Sequence, residues 1–226
     1  MDERSHLKSN VKTKQDIKTE QEFATEQEKF WAGEFGESYQ QRNEGEGWIA
    51  ANTAFFSKIF SCCGPVRSVT ELGPNIGLNL MAIRSLLPSV ELTGVEISES
   101  ACEQLRKNAP GVNVVNSSIL EWEPKTEADL VFTKGVLIHI NPDELPSIYE
   151  LMYRASKRYL LVAEYYNPTP QMIPYRGHDN RLFKRDFAGE ILDQFPDVRL
   201  RDYGFAWRRD PNFPQDDLTW FLLEKV

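Results

Sequence analysis

Residues 69–80 read VTELGPNIGLNL: an apolar lead-in, then Gly73, Asn75 and Gly77, then leucines at helical spacing. A strand that enters a helix through a glycine turn lets the backbone pass close to a ligand, with the first N–H groups of the helix pointing at it. The dinucleotide fingerprint GxGxxG needs its second glycine where Asn75 stands, because that glycine makes room for a pyrophosphate. Gly77 is also out of register with that fingerprint. The turn therefore predicts a cofactor without a diphosphate.

Two acids sharpen this expectation. Glu71 lies two residues before Gly73, at the end of the apolar strand, where a carboxylate suits a ligand with a cationic amino group and repels a diphosphate. Glu96, with Ile97 in GVEIS, ends the next apolar strand, where a carboxylate can accept hydrogen bonds from two ribose hydroxyls. S-adenosylmethionine (SAM) carries an ammonium, a sulfonium and an adenosine, and no phosphate. Either acid alone reads as a solvated strand end, but together with the glycines they point to SAM.

Outward from this turn, strand-like and helix-like segments alternate. SVTELG precedes a helix over GLNLMAIRSLL, ELTGVEIS precedes SESACEQLRKNA, and NVVNSSI and ADLVFTKG precede PDELPSIYELMYRAS and RYLLVAEYY. Pro88, Pro110, Pro124 and Pro142 fall in the connections, where a missing N–H does no harm. Such alternation predicts right-handed crossovers and a mostly parallel sheet. VRLRDYGFAWRRD and DLTWFLLEK, separated by DPNFPQ, read instead as an antiparallel pair.

Upstream, residues 1–20 are almost wholly polar and read as a flexible tail. Residues 21–62 read as a helical segment, with helices near residues 20–32 and 48–60. Phe23, Phe30, Trp31, Phe35 and Tyr39 crowd its first part, which could pack ahead of the sheet or act as a lid. Residues 63–226 form the expected main domain.

Composition narrows the partners. With 26 Lys+Arg against 34 Asp+Glu, the net charge of −8 repels polyanions, so neither nucleic acid nor an anionic membrane is an expected partner. The three cysteines lack CxxC spacing, which argues against a disulfide framework or a zinc knuckle and fits a reducing compartment. Three scattered histidines give no metal site. No secretory leader or membrane-length apolar run is legible, so the expected location is the cytoplasm.

From about Ser68 to Glu164 the chain resembles the class I SAM-dependent methyltransferases, with ELGPNIG at motif I, GVEIS at motif II, NSSIL after the third strand and ADLVFTKGVLIHI at motif IV. The resemblance implies a Rossmann-like α/β fold with a mostly parallel seven-stranded sheet, an antiparallel C-terminal hairpin and helices on both faces. It also places Ser118 where that superfamily usually carries an Asp beside the adenine, with the Ile119 amide next to the ring. Thr133, Lys134 and Gly135 fall where motif IV lines the methionine end of the cofactor. Over nearly the whole chain, EQEKFWAGEFGESYQQRN, FTKGVLIHINPDELP, AEYYNPTP, IPYRGHDNRLFKRDFAGE and RDPNFPQDDLTWFLLEK resemble the pseudaminic acid biosynthesis-associated methylases, a bacterial group tied to surface-sugar modification.

In such a fold the acceptor approaches over the ends of the fourth and fifth strands. Glu164, Tyr165, Tyr166 and Asn167 end the fifth strand, more polar and aromatic groups than a chain turn requires. Residues 165–190 then read as a substrate-facing insertion, in which Tyr175, Arg176, His178, Arg181 and Lys184 form a basic island suited to an acidic or nucleotide-linked sugar. A helix start pairing with Asp179, Asp186 and Glu190 is the plainer reading. Glu164, Tyr175 and His178 are the candidate catalytic groups, with His178 the expected general base. His139 reads as a buried, hydrogen-bonded histidine, and Asp216 or Asp217 as a lesser candidate for a substrate amine.

The expected activity is SAM-dependent N- or O-methylation of a small molecule, a bacterial sugar or nucleotide-sugar first and another metabolite second. A nicotinamide-dependent sugar oxidoreductase is the alternative from another class. It is disfavoured by the missing glycine. A non-catalytic cofactor-binding partner protein is the third.

Overall fold

The computed structural model describes residues 23–33 and 46–226, the side chains of Glu46, His178 and Asp179 excepted. The expected tail over residues 1–20, and with it Phe35 and Tyr39, lies outside the described residues.

Seven strands form one sheet, in the spatial order β3 (Asn113–Asn116), β2 (Glu91–Glu96), β1 (Ser68–Leu72), β4 (Ala128–Lys134), β5 (Ser156–Glu164), β9 (Leu218–Lys225) and β8 (Val198–Ala206). The pairs from β3 through β5 are parallel, whereas β9 runs antiparallel to β5 and to β8. A parallel strand covered on both faces needs an unbroken apolar run, and the YLLVA of β5 supplies one, with Tyr159 to Ala163 all buried.

One face of the sheet is covered by α5 (Leu145–Ala155) and α6 (Phe187–Gln194), whose Ile148, Met152, Phe187 and Ile191 pack on Val131, Leu160 and Val162. The other face is covered by α2 (Glu46–Ser61), α3 (Leu78–Leu86) and α4 (Glu99–Asn108). Their Phe56, Ile59, Leu80, Ile83 and Leu105 meet Leu130, Phe132 and Leu161. The fold class expected from the sequence is therefore the one observed, with helices on both faces.

Chain order reverses between β1 and β4, so the crossovers on either side diverge. A crevice opens at the carboxyl ends of these strands, where open α/β sheets hold ligands.

Three local features depart from the expectation. β3 stops at Asn116, whose Nδ2 donates to the carbonyls of Glu96 and Ile97 and turns the chain toward Ser118. The basic island is a ribbon and not a helix start: β6 (Gln171–Tyr175) pairs antiparallel with β7 (His178–Lys184). Arg176 and Gly177 at its tip both have positive φ, at 51° and 84°, as a tight two-residue hairpin requires. Finally, the first helix, α1 (Glu26–Ala32), is short and starts with a capping box between Thr25 and Glu28.

Candidate functional site

A cavity of about 240 Å³ occupies the crevice. Its floor is the row of turns after the parallel strands.

After β1, Gly73 has φ 75°, and a Cβ there would meet Val136 Cγ2 at 2.7 Å. Asn75 has φ 50°, a left-handed conformation that Asn tolerates better than most residues, which is how it stands in place of glycine. Its amide is committed to Glu96, whose Oε2 accepts it at 2.8 Å while Oε1 accepts the Ser98 amide at 2.9 Å. Burial raises the Glu96 carboxyl above its ordinary value, and these amides hold it down in part. Each oxygen keeps a lone pair for a ligand.

Glu71 lies just under the floor, fully buried. Its Oε1 accepts from Nδ2 of Asn79, a cavity-lining residue, at 2.6 Å. Its Oε2 and the Asn79 Oδ1 are buried acceptors without a hydrogen-bond partner. Burial pushes the Glu71 carboxyl up to about 8. Unpaired buried polar atoms are a costly arrangement, and a cationic amine brought to this spot would offer them donors while favouring the ionised carboxyl. Lys134 and Gly135 continue the floor at the end of β4. Burial lowers the Lys134 ammonium below its usual range, against the pull of Asp216, Glu71 and Glu164.

The roof comes from elsewhere in the chain. Gln27, Glu28 and Trp31 of α1, Trp48 and Asn52 of α2, Tyr175 of the ribbon, and Asp216 and Leu218 at the start of β9 all line the cavity. Gln27 Nε2 donates to the Asn180 carbonyl at 3.2 Å, and the Arg181 guanidinium meets Glu26 at 3.3 Å and lies over the Phe30 ring. His139 sits between them, its ring centroid 4.5 Å from Trp31 and 5.2 Å from Tyr175. Nδ1 of His139 is 2.7 Å from the Arg181 carbonyl, so Nδ1 carries the proton and Nε2 the lone pair. Burial lowers this imidazole to about 4, leaving it neutral at pH 7.

Residues 69–158 match the methyltransferase-domain family model. This segment holds the floor turns after β1, β2, β3 and β4. A curated relative, trans-aconitate 2-methyltransferase of Escherichia fergusonii, is 28% identical over 86 residues, 38% of this chain and 32% of that protein, so the chain spans about a third of that relative's length. Among solved structures, the amino pentose methyltransferase of Micromonospora echinaspora involved in calicheamicin biosynthesis, solved with SAM, superimposes with a TM-score of 0.60 at 10% identity, covering 85% of this chain and 96% of that one. The magnesium protoporphyrin IX methyltransferase of Synechocystis PCC 6803, also with SAM, gives a TM-score of 0.63 at 13% identity, covering 91% and 100%. At these identities the likeness establishes the fold.

The structure brings part of the expected set together. Gly73, Asn75, Glu96, Ile97, Ser118, Ile119, Lys134, Gly135, Tyr165 and Tyr175 line the cavity. Thr133 is wholly buried and does not line it, and Gly77 instead caps α3, where a Cβ would meet Leu105 Cδ1 at 2.6 Å.

Glu164 is expected as a catalytic group, but its carboxylate is turned away from the cavity. It accepts the amides of Val136 and Leu137 at 3.1 Å each and that of Ile138 at 3.5 Å, holding the turn after β4; burial pushes it up to about 7. Side chains alternate along a strand, so Tyr166 shares the side of Glu164 and rests on Phe221, while Tyr165 points the other way.

Of the described side chains of the basic island, Tyr175 lines the cavity and the others point elsewhere. Asn167 donates to the Thr169 carbonyl, Arg176 lies over the Tyr175 ring at the ribbon tip, Lys184 faces the Tyr165 ring, and Arg181 is held by α1. The side chain of His178 lies outside the described residues. Sequence reading missed Glu28, Asn52 and Asn79. Asn79 carried a local signal, one helical turn after Asn75 in the same glycine segment, whereas Glu28 and Asn52 belong to helices whose approach to the site no local pattern announces.

Among the described residues no His, Cys, Asp and Glu cluster could hold a metal ion, and no helix is long and apolar enough to cross a membrane.

Proposed function

We propose that this protein is a SAM-dependent methyltransferase acting on an amino or hydroxyl group of a small molecule. The observation that carries the reading is the order of polarity along the floor. Unpaired buried oxygens at Glu71 and Asn79 suit an ammonium. Next comes Glu96, anchored on two amides with lone pairs left for a diol. Beyond it Ile97, Ile119 and Leu120 form an apolar slot for a base. That order is the order of ammonium, ribose and adenine in SAM. The amide that would greet a diphosphate, that of Asn75, is already given to Glu96.

When bound, the cofactor supplies a sulfonium methyl for in-line transfer to an acceptor lone pair. The chain's task is then to align the acceptor, exclude water and take up a proton. The rings of Trp31, Trp48 and Tyr175 close the acceptor side. The Nε2 lone pair of His139 takes the proton-accepting role that the sequence suggested for His178, with its tautomer set by Arg181. Asp216 and Lys134 are the charged groups available to orient the acceptor.

For the acceptor we assign a bacterial sugar or nucleotide-linked sugar in a surface-glycan pathway of the pseudaminic acid type, handled in the cytoplasm. The long resemblance described above supports this, as does the similarity in fold to an amino pentose methyltransferase.

Calorimetric titration with S-adenosylhomocysteine, with reduced nicotinamide nucleotides as comparators, tests the reading. Micromolar binding of the homocysteine compound alone is expected. Glu96→Ala should weaken it by about tenfold to a hundredfold, the size of one or two charge-assisted hydrogen bonds. Preference for a nicotinamide nucleotide would overturn the assignment. Nucleotide-sugars screened with labelled methyl donor then test the acceptor.

A further inference from the structure

The far end of the floor raises a question of its own. In sheet order β3 lies beyond β2 on the side away from β1. A ligand anchored beside Glu71 and crossing Glu96 therefore ends over the turn after β3. There the walls are apolar, Ile97 and Ala101 on one side, Ile119 and Leu120 on the other, which suits a flat base.

The polar rim of this slot is not supplied by the β3 turn alone. The Ser118 hydroxyl is committed twice, donating to Glu28 Oε1 and accepting the Leu120 amide at 2.9 Å. Glu28 belongs to α1, ninety residues upstream of Ser118, and its carboxylate is buried at the cavity wall. Its Oε2 accepts the Thr25 amide at 3.0 Å. Each carboxylate oxygen can accept one more hydrogen bond.

Resting on the SAM reading above, we propose that Glu28 recognises the exocyclic amine of the cofactor's adenine, and that α1 supplies base specificity to a slot whose own strand offers only a serine. A carboxylate accepts and does not donate. It therefore pairs with the amine of adenine and is opposed to the carbonyl that hypoxanthine presents at the same position, where two acceptors would face each other. Because the same carboxylate also closes the capping box, docking of α1 and reading of the base share one side chain.

The test is a ratio of affinities. S-adenosylhomocysteine and S-inosylhomocysteine are titrated calorimetrically into the wild-type protein, Glu28→Gln and Thr25→Ala, with thermal midpoints recorded for each. The wild type is expected to favour the adenosyl compound by roughly thirtyfold or more, since a buried acceptor facing a carbonyl is left unpaired. Glu28→Gln should bring that ratio to within about threefold, because an amide can turn either its N–H or its C=O to the base. Thr25→Ala removes the other half of the cap, so it should weaken both compounds together and leave the ratio unchanged.

An unaltered ratio in Glu28→Gln, with adenosyl binding intact, would reduce Glu28 to a helix cap and sink the proposal while leaving the SAM reading standing. A wild-type protein that binds neither compound would overturn the SAM reading, and this inference with it.

Discussion

Two walls enclose the cavity, and they are held in place by different means. The floor groups stand at the ends of strands in a continuous sheet and are fixed by backbone amides: Glu96 by Asn75 and Ser98, the turn after β4 by Glu164. The roof at α1 is a seven-residue helix, too short to persist by itself, and side-chain contacts to the ribbon and the Ser118–Glu28 hydrogen bond hold it. One of these, between Arg181 and Glu26, involves a largely exposed carboxylate, and such pairs contribute little. The contrast separates two tasks. A rigid floor can be complementary to a cofactor in advance, while a weakly held roof can yield to admit ligands and settle over them.

The largest effect should come from the floor's own support. Glu164→Ala leaves three amides, two of them buried, without their acceptor, and unfolding in urea should show a loss of about 3 kcal/mol. If Glu164 were instead a catalytic group, stability would hold and turnover alone would collapse.

The roof should respond in the opposite sense. Trp31→Ala removes one of the two rings that flank His139. S-adenosylhomocysteine affinity should fall by up to about tenfold, with a stability change of about 1 kcal/mol or less. A stability loss as large as that of Glu164→Ala would erase the distinction between the walls.

The smallest effect concerns charge under the floor. Glu71, held up to about 8, is mostly protonated at pH 7, and a neighbouring ammonium favours its ionised form. Ligand binding therefore lowers its value and releases protons. Affinity should rise roughly fivefold from pH 7 to pH 8 and flatten above. In the free protein the sign is reversed: the unfolded chain gives up this proton first, so the stabilisation is present at low pH and is lost as pH rises from about 4.5 to 8. Calorimetry across this range, with Glu71→Gln as the flat control, decides the matter. A flat wild-type profile would remove Glu71 from the ammonium site.

The floor was legible because its information is local. Glu96 ends an apolar strand, and Gly73, Asn75 and Gly135 stand in the turns that follow one; a strand's end in an alternating α/β pattern is the ligand face whatever the rest of the chain does. The roof was not legible in this way. Glu28 reads as an ordinary helix-start acid, and its second partner, Ser118, is far along the chain. His139 was expected to be buried and hydrogen-bonded; it is half-buried at the cavity wall, and its partner, the Arg181 carbonyl, lies on a strand whose position no pattern specified. The basic island misled for the same reason: a cluster of charges in sequence became a ribbon that alternates its side chains and carries Arg176 at its tip.

By itself, the sequence determined the sheet, its mostly parallel sense, the antiparallel end and the line of polar groups along the strand termini, because apolar periodicity and glycine placement act over a few residues. Tertiary structure decided which acid caps a turn and which faces the cavity, that a carboxylate from α1 reaches the turn after β3, and that His139 is neutral with its lone pair on Nε2. These depend on burial and on partners brought together across long stretches of chain, and no local pattern encodes such distances.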